Sequence, residues 1–331
     1  MKILFIGGTG LISTAVSKTV IKRGHELHIL NRGNHSDNLP KGALFIQADI
    51  NDIPAMKKIL KDFYYDVIVD WIAFIEADVK RDYLLFKNHT KQYVFISSAS
   101  AYQKPLPKLP ITEDIPLINP YWEYSDNKAK CEKYLLGIND PGFNVTIIRP
   151  SHTYNDHSII FQVQPWDHPF TLIKQILDDR PIILPDDGKC LWTLTYNQDF
   201  AQAFVDILGN KKAYNECYHL TSEKVYTWEQ LALEFFKVLG KEPNILYLPT
   251  KDIVDFLPEF RGPLYGDKKD SAVFDNTKIK TVARNYISKT DYPNIIDTAV
   301  TFYLNNAELQ TVNEGFLEKY NALISKYQKK L

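Results

Sequence analysis

Apolar residues in the first half of the chain fall in short unbroken runs, and polar segments with helical spacing lie between them. Lys2–Ile6, Leu27–Leu30, Leu44–Gln47, Asp66–Asp70, Gln92–Ser97 and Asn144–Arg149 read as strands. The runs Val67-Ile-Val69 and Tyr93-Val-Phe-Ile96 show no polar alternation, as expected of strands covered on both faces. Residues 53–63, 79–87 and 122–136 carry helical periodicity, as does the stretch through Val16, Val20 and Ile21. Strands alternating with helices predict an α/β fold with a doubly wound parallel sheet, and ligands bind such sheets beyond the carboxyl ends of the strands.

The second half has a different texture. Pro165, Pro169, Pro181 and Pro185 punctuate shorter elements, and Asp186-Asp-Gly188 marks a turn. Cys217–Leu220 is a strand candidate that rejoins the main sheet, and Thr227-Trp-Glu-Gln230 is a capping box opening a helix to about Leu239. From Ile295 the tail is helical and increasingly charged, a solvated amphipathic helix. The expected division is a first domain of residues 1–155, to which roughly 192–222 return, and a smaller C-terminal α/β substrate domain of 156–191 and 223–331.

Chemistry enters at the first strand. Lys2–Ile6 runs into Gly7-Gly-Thr-Gly10-Leu-Ile-Ser13, a glycine-rich turn between strand and helix. Such a turn lets the backbone approach a pyrophosphate, which the helix N-terminus attracts. Gly7 and Gly10 hold the first two positions of a Gly-x-x-Gly-x-x-Gly spacing; Ser13, small enough for close helix–strand packing, takes the third. The second strand ends at Asn31-Arg32-Gly33, with no acid to bind a ribose 2′-hydroxyl and an arginine suited to a 2′-phosphate. The pattern therefore favours NADP over NAD.

Tyr124 and Lys128 lie four residues apart on an expected helix and so share one face. An ammonium there is expected to lower the phenol pKa, making a general base for work near neutral pH.

The glycine turn, a strand-end serine and Tyr-x-x-x-Lys together resemble the extended short-chain dehydrogenase/reductase superfamily, in its NAD-dependent epimerase/dehydratase branch, over most of the chain. The resemblance implies a Rossmann-type fold and a cofactor site of Gly7, Thr9, Gly10, Leu11, Ile12, Asn31, Arg32, Asp49, Ile50, Trp71, Ala73 and Pro150, with Tyr124 and Lys128 at the nicotinamide ribose. Asp49-Ile50 resembles the adenine contact, Asp66 to Ala73 the strand whose end meets the cofactor, and Arg149-Pro150 the strand end beside the nicotinamide. Asp199 and Asp275 match later landmarks of the family. Phe95 to Tyr102 resembles the segment with the catalytic serine, here Ser98. By this resemblance Tyr124 moves the hydroxyl proton, Ser98 stabilises charge on the same oxygen, and Lys128 tunes Tyr124.

Two departures narrow the substrate. Ala99-Ser100 stands where dehydratases of the family carry Asp-Glu, which disfavours water elimination. Trp192 stands where nucleotide-sugar enzymes carry a diphosphate-binding arginine; Arg180 or Arg261 is a candidate replacement. Tyr102, His152, Trp192 and Arg261 are candidate substrate contacts. The leading expectation is an NAD(P)-dependent oxidoreductase/epimerase acting on a sugar or nucleotide-sugar. The alternatives are an NADPH-dependent carbonyl reductase and a non-catalytic RNA- or cofactor-binding relative.

Composition removes other classes. With 39 Lys+Arg against 40 Asp+Glu, the formal charge of −1 offers no footprint for nucleic acid or an anionic membrane. No stretch approaches the length of a membrane span. Cys131, Cys190 and Cys217 are few and scattered, as in a reducing cytoplasm. His152, His157 and His168 fit no zinc spacing, so no metal is expected. The resemblance further implies a homodimer formed through helices flanking the Tyr/Lys segment.

Overall fold

A computed structural model of the chain describes residues 1–34, 36–284 and 286–329. The first half builds the main sheet from β1 (Lys2–Ile6), β2 (Glu26–Asn31), β3 (Leu44–Gln47), β4 (Tyr65–Asp70), β5 (Thr90–Ile96) and β6 (Asn144–Pro150), all parallel. Helices α1 (Leu11–Lys22), α2 (Ile53–Leu60), α3 (Glu76–Phe86) and α4 (Glu123–Leu136) cross between them. The chain then forms β7 (His152–Tyr154), α5 (Phe170–Leu177), β8 (Ile182–Pro185), β9 (Leu191–Tyr196), α6 (Asn197–Ile207) and β10 (Glu216–Leu220). The strand expected at Cys217–Leu220 is β10, which pairs in parallel with β6 and completes the order β10-β6-β5-β4-β1-β2-β3.

Apart from the exposed edge strand β3, both faces of this sheet are covered. Ile3, Phe5, Val67 and Val69 point toward α1 and α6, whereas Leu4, Ile6, Ile68 and Phe95 point toward α2, α3 and α4. That double burial is why these strands read as continuous apolar runs.

The remaining elements are β11 (Val225–Thr227), α7 (Trp228–Val238), β12 (Ile245–Leu248), α8 (Thr250–Phe256), the short α9 (Arg261–Pro263) and α10 (Thr277–Lys280), α11 (Pro293–Asn305) and α12 (Glu314–Gln328). Thr227 and Gln230 make the expected capping box at α7. Strands β7, β9 and β11 form one small sheet, and β8 pairs with β12. The tail is two helices rather than one solvated helix, broken after Asn305. It is also less solvated than its charge suggested: α12 buries Phe316, Tyr320, Leu323 and Ile324 in a core shared with Trp228, Phe235 and Ile183. Among the described residues, no helix is long and apolar enough to cross a membrane.

Candidate active site

The glycine turn sits where β1 ends against β2 and β4. Gly7 and Gly8 take φ of +92° and +93°, a region that side chains with a Cβ rarely enter. A Cβ on Gly7 would lie 2.8 Å from Ile72 Cγ2, so the loop after β4 closes directly on the turn. Gly10 is the N-cap of α1, and the Ser13 hydroxyl accepts its N–H at 2.9 Å. The serine in the third glycine position thus braces the turn as well as fitting it. By helix geometry the first-turn N–H groups of Leu11 and Ile12 have no intrahelical acceptor, the arrangement that suits a pyrophosphate.

Beside the turn lies a cleft of about 410 Å³ lined by Gly7, Thr9, Asn31, Arg32, Asp49, Ile50, Ile72 and Phe74, among others. The Asn31 side chain accepts the Gly33 N–H at 2.8 Å and donates to the Gly7 carbonyl at 3.4 Å, tying the ends of β1 and β2 together. Arg32 is exposed at the rim. The Cβ-free cradle and the open helix N-terminus fit a dinucleotide.

The reactive groups meet at the ends of β4 and β5. The Asp70 carboxylate accepts the N–H groups of Ile72 (2.6 Å) and Ala73 (2.8 Å), shaping the loop. The Lys128 ammonium, on α4, donates to the carbonyls of Ala73 and Ile96, each at 2.7 Å. It packs over Phe74 (4.6 Å) and Phe95 (4.8 Å) and stands 5.8 Å from the Tyr124 ring centroid. Burial pushes its pKa down to about 8. Ser98, which caps the turn Ala99–Ala101, lines the same cavity as Tyr124 and is hydrogen-bonded to Ser100 Oγ (2.9 Å). Ser125 donates to Ser100 at 2.8 Å, so a row of hydroxyls orients Ser98.

The structure corrects the expected electrostatics of Tyr124. Burial, aided by Asp267, raises the phenol pKa, and only the neighbouring Ser98 hydroxyl opposes this. Lys128 is turned to two carbonyl oxygens, so helical spacing brought the pair together without delivering the charge to the phenol.

A second cavity, of about 420 Å³, opens over Ser98 and Tyr124. Its walls include Trp122, Trp166, Trp192, Phe274, Pro150, His152, Asp267 and Lys268. Trp192 donates its indole N–H to His152 Nδ1 at 3.3 Å, and burial beside Lys268 pushes the His152 pKa down to about 3, leaving the ring neutral. Trp122 is seated on glycines: a Cβ on Gly262 would meet its Cδ1 at 2.5 Å, and one on Gly266 its Cβ at 2.8 Å. Residues Leu264–Lys268 form a π-helical turn, a form frequent at functional sites, and it brings Asp267 and Lys268 to the cavity.

Other expected contacts lie elsewhere. Tyr102 is buried behind the site, bonded to His219 Nδ1 (3.0 Å) and to Arg149 (3.1 Å). Arg261 is exposed and packs over Tyr265, Arg180 is exposed just after α5, and neither lines the second cavity, so neither replaces a diphosphate arginine. Trp71 turns beneath the sheet against Phe5 and Phe204 rather than toward the cleft, because its indole is large enough to join that core. Ala73 contributes its carbonyl, to Lys128. Leu11 borders a separate cavity along α1, and Ile12 packs on the α1 side of the sheet. Arg149 points away from the cavity and forms a buried ion pair with Glu132 at 2.6 Å, fastening α4 to β6. Asp199 accepts the N–H groups of Lys289 and Thr290, and the Asp275 carbonyl accepts from His219, so both landmarks brace loops. His157 stacks on Phe302 and His168 bonds Thr311. Among the described residues, no group of three or more His, Cys, Asp or Glu is placed to hold a metal.

The model of the NAD dependent epimerase/dehydratase family matches residues 3–90 and 83–219. The chain belongs to that family. The resemblance and the enzyme class read from the sequence, extended short-chain dehydrogenase/reductase, are borne out. Relatives include the chloroplast stem-loop binding protein of 41 kDa b of Arabidopsis thaliana, 30% identical over 76% of this chain and 67% of that protein. A UDP-glucose 4-epimerase of Lactobacillus helveticus is 28% identical over 85% of this chain and 91% of its own. Among solved structures, an epimerase of Methanothermobacter thermautotrophicus superposes with a TM-score of 0.73 at 16% identity, covering 93% of each chain. UDP-glucose 4-epimerase of Thermotoga maritima, solved with UDP-glucose, gives 0.70 at 20% identity over 93% of this chain and all of the other. At these identities the structures establish a shared fold.

Proposed function

We propose that the chain is an NAD(P)-linked oxidoreductase/epimerase that transfers hydride at a hydroxyl-bearing carbon of a sugar-type substrate. One observation carries this reading: Ser98 and Tyr124 line the second cavity side by side, and Lys128 is fixed behind them by the Ala73 and Ile96 carbonyls. Phe74, which lines the dinucleotide cleft, stands 6.4 Å from the Tyr124 ring, so the two cavities are neighbours across that ring pair.

The glycine turn and the N–H groups of Leu11 and Ile12 would hold the pyrophosphate, Asn31 and Arg32 the adenosine ribose, and Asp49 and Ile50 the adenine. A bound nicotinamide supplies the hydride acceptor and donor. Tyr124 takes or returns the substrate hydroxyl proton, and Ser98 donates to the same oxygen as charge develops there. Lys128 ties the Ala73 and Ile96 carbonyls together behind the phenol, and the tryptophan walls keep water out. Arg32 and the missing acid after β2 support NADP over NAD; Arg32→Ala is expected to weaken NADP more than NAD.

The relatives named as UDP-glucose 4-epimerases support a sugar nucleotide, and Trp192 in place of an arginine supports a smaller substrate or a simple carbonyl reduction. Mass analysis of small molecules released on denaturation identifies a copurified cofactor. Stoichiometric NADPH consumption then marks a reductase, and turnover without net consumption marks an epimerase. The alternative of an RNA-binding protein takes its support from the words stem-loop binding in the name of the Arabidopsis relative. It predicts RNA affinity that survives Tyr124→Phe and falls steeply with salt. A homodimer through α3 and α4 is supported by Leu84 and Leu136, which are 68% and 46% exposed on those helices.

A further inference from the structure

Lys268 is the only residue bearing a cationic side chain among the described lining of the tryptophan-walled cavity, since His152 is neutral there. It is 3% exposed. Its ammonium lies 4.4 Å over the Trp166 ring and 5.9 Å from that of Trp228, and makes no hydrogen bond or ion pair among the described residues. The neighbouring Asp267 is half-buried, and desolvation pushes its carboxyl up to about 6; it acts on Lys268 without closing an ion pair. Stacking on an indole returns less than burying an ammonium without an acceptor costs. Folding therefore holds a poorly compensated positive charge in the cavity that contains Ser98 and Tyr124, and it lacks an acceptor.

The acceptor's chemistry follows from what surrounds the charge. One cation neutralises one negative charge. A diphosphate needs several donors, and the position that would supply an arginine is Trp192, whose N–H is already given to His152. Asp267 and the aromatic walls oppose a second negative charge. The indole faces suit the C–H face of a sugar ring.

We propose that Lys268 anchors the carboxylate of a monoanionic sugar acid, and that this contact sets the substrate class of the site. The inference rests on the hydride-transfer reading above and narrows it: the substrate is a free sugar acid rather than a nucleotide diphosphate sugar. The contact presents the ring to Tyr124 and Ser98, so Lys268 is a specificity residue and takes no proton from the reacting carbon.

The test measures binding and turnover of D-glucuronate and D-galacturonate against D-glucose, D-galactose and UDP-glucose, with protein saturated in NAD(P)+. Wild type is expected to bind a uronate about tenfold or more tighter than the matching hexose and UDP-glucose. Lys268→Met is expected to lose about ten- to a hundredfold of uronate affinity, through KM rather than kcat, with dinucleotide affinity unchanged and partial rescue by Lys268→Arg. A wild-type measurement guards against a variant that does not fold. Uronate affinity should fall as pH rises through about 8, where Lys268 deprotonates, while hexose affinity stays flat. Asp267 titrates below that range, His152 is neutral throughout it, and Tyr124 titrates above it; Lys128 acts on both sugars alike. A uronate preference that survives Lys268→Met, tighter binding of UDP-glucose, or no uronate binding overturns the proposal. Each of these leaves the hydride-transfer reading standing, which falls instead if the protein binds no dinucleotide or if Tyr124→Phe turns over normally.

Discussion

Tyr124 is a half-buried phenol beside Ser98 in the second cavity, and its role has a direct consequence. Tyr124→Phe removes the proton carrier but little volume. Hydride transfer is expected to fall about a hundredfold or more while dinucleotide affinity, read by fluorescence titration, is unchanged. The two buried lysines make a second prediction. Lys128 and Lys268 are each held near 8 against an ordinary 10.5. Below pH 8 both are charged in the folded and unfolded chain, and burial of the charge is a cost. Between about 8 and 10.5 the folded chain has released protons that the unfolded chain keeps, so these groups add stability as pH rises. Above about 10 buried tyrosines such as Tyr93 and Tyr292, raised by burial, act in the opposite sense. Urea unfolding at pH 7 and pH 9 should show a smaller gain in Lys268→Met than in wild type.

At the scale of elements, the site depends on how strand ends and α4 are fastened. Gly7 combines a φ of +92° with an Ile72 methyl 2.8 Å from any added Cβ. Gly7→Ala should cost about 1–3 kcal/mol from backbone strain alone and weaken dinucleotide binding, measurable by urea midpoint and titration. Arg149 and Glu132 join β6 to the helix that carries Tyr124 and Lys128. Arg149→Met leaves a carboxylate buried without its partner, and a loss of about 3–5 kcal/mol is expected in equilibrium unfolding. Neither role of Arg149 nor that of Ser13 as a brace for Gly10 was open to a reading of spacing. Spacing says which residues share a face; it does not say what the opposite face presents.

For the whole molecule, the parallel sheet defines one edge at which the glycine turn, the β4 loop and the β5 turn converge, and the second half of the chain closes over it. Association through α3 and α4 would cover Leu84, and Leu84→Glu is expected to shift a dimer to monomer by light scattering without unfolding α3. The first half was largely legible because strands buried on both faces show as apolar runs, and glycines at positive φ stand out in any sequence. The second half was less so. Its elements are short, and its polar residues reach the site through loops whose course is set by packing.

The glycine turn (residues 7–13), the strand-end Ser98 and the Tyr124–Lys128 face are each set by a few neighbouring residues. Local conformation fixes each motif by itself, so the sequence alone determined them one by one. Tertiary structure alone decided that the Lys128 ammonium faces carbonyls rather than the phenol, that Tyr102, Trp71 and Arg261 leave the site, and that Lys268 enters it from a π-helical turn. Those outcomes depend on which distant segments compete for the same buried space, and burial, more than proximity in sequence, then sets the charge each group carries.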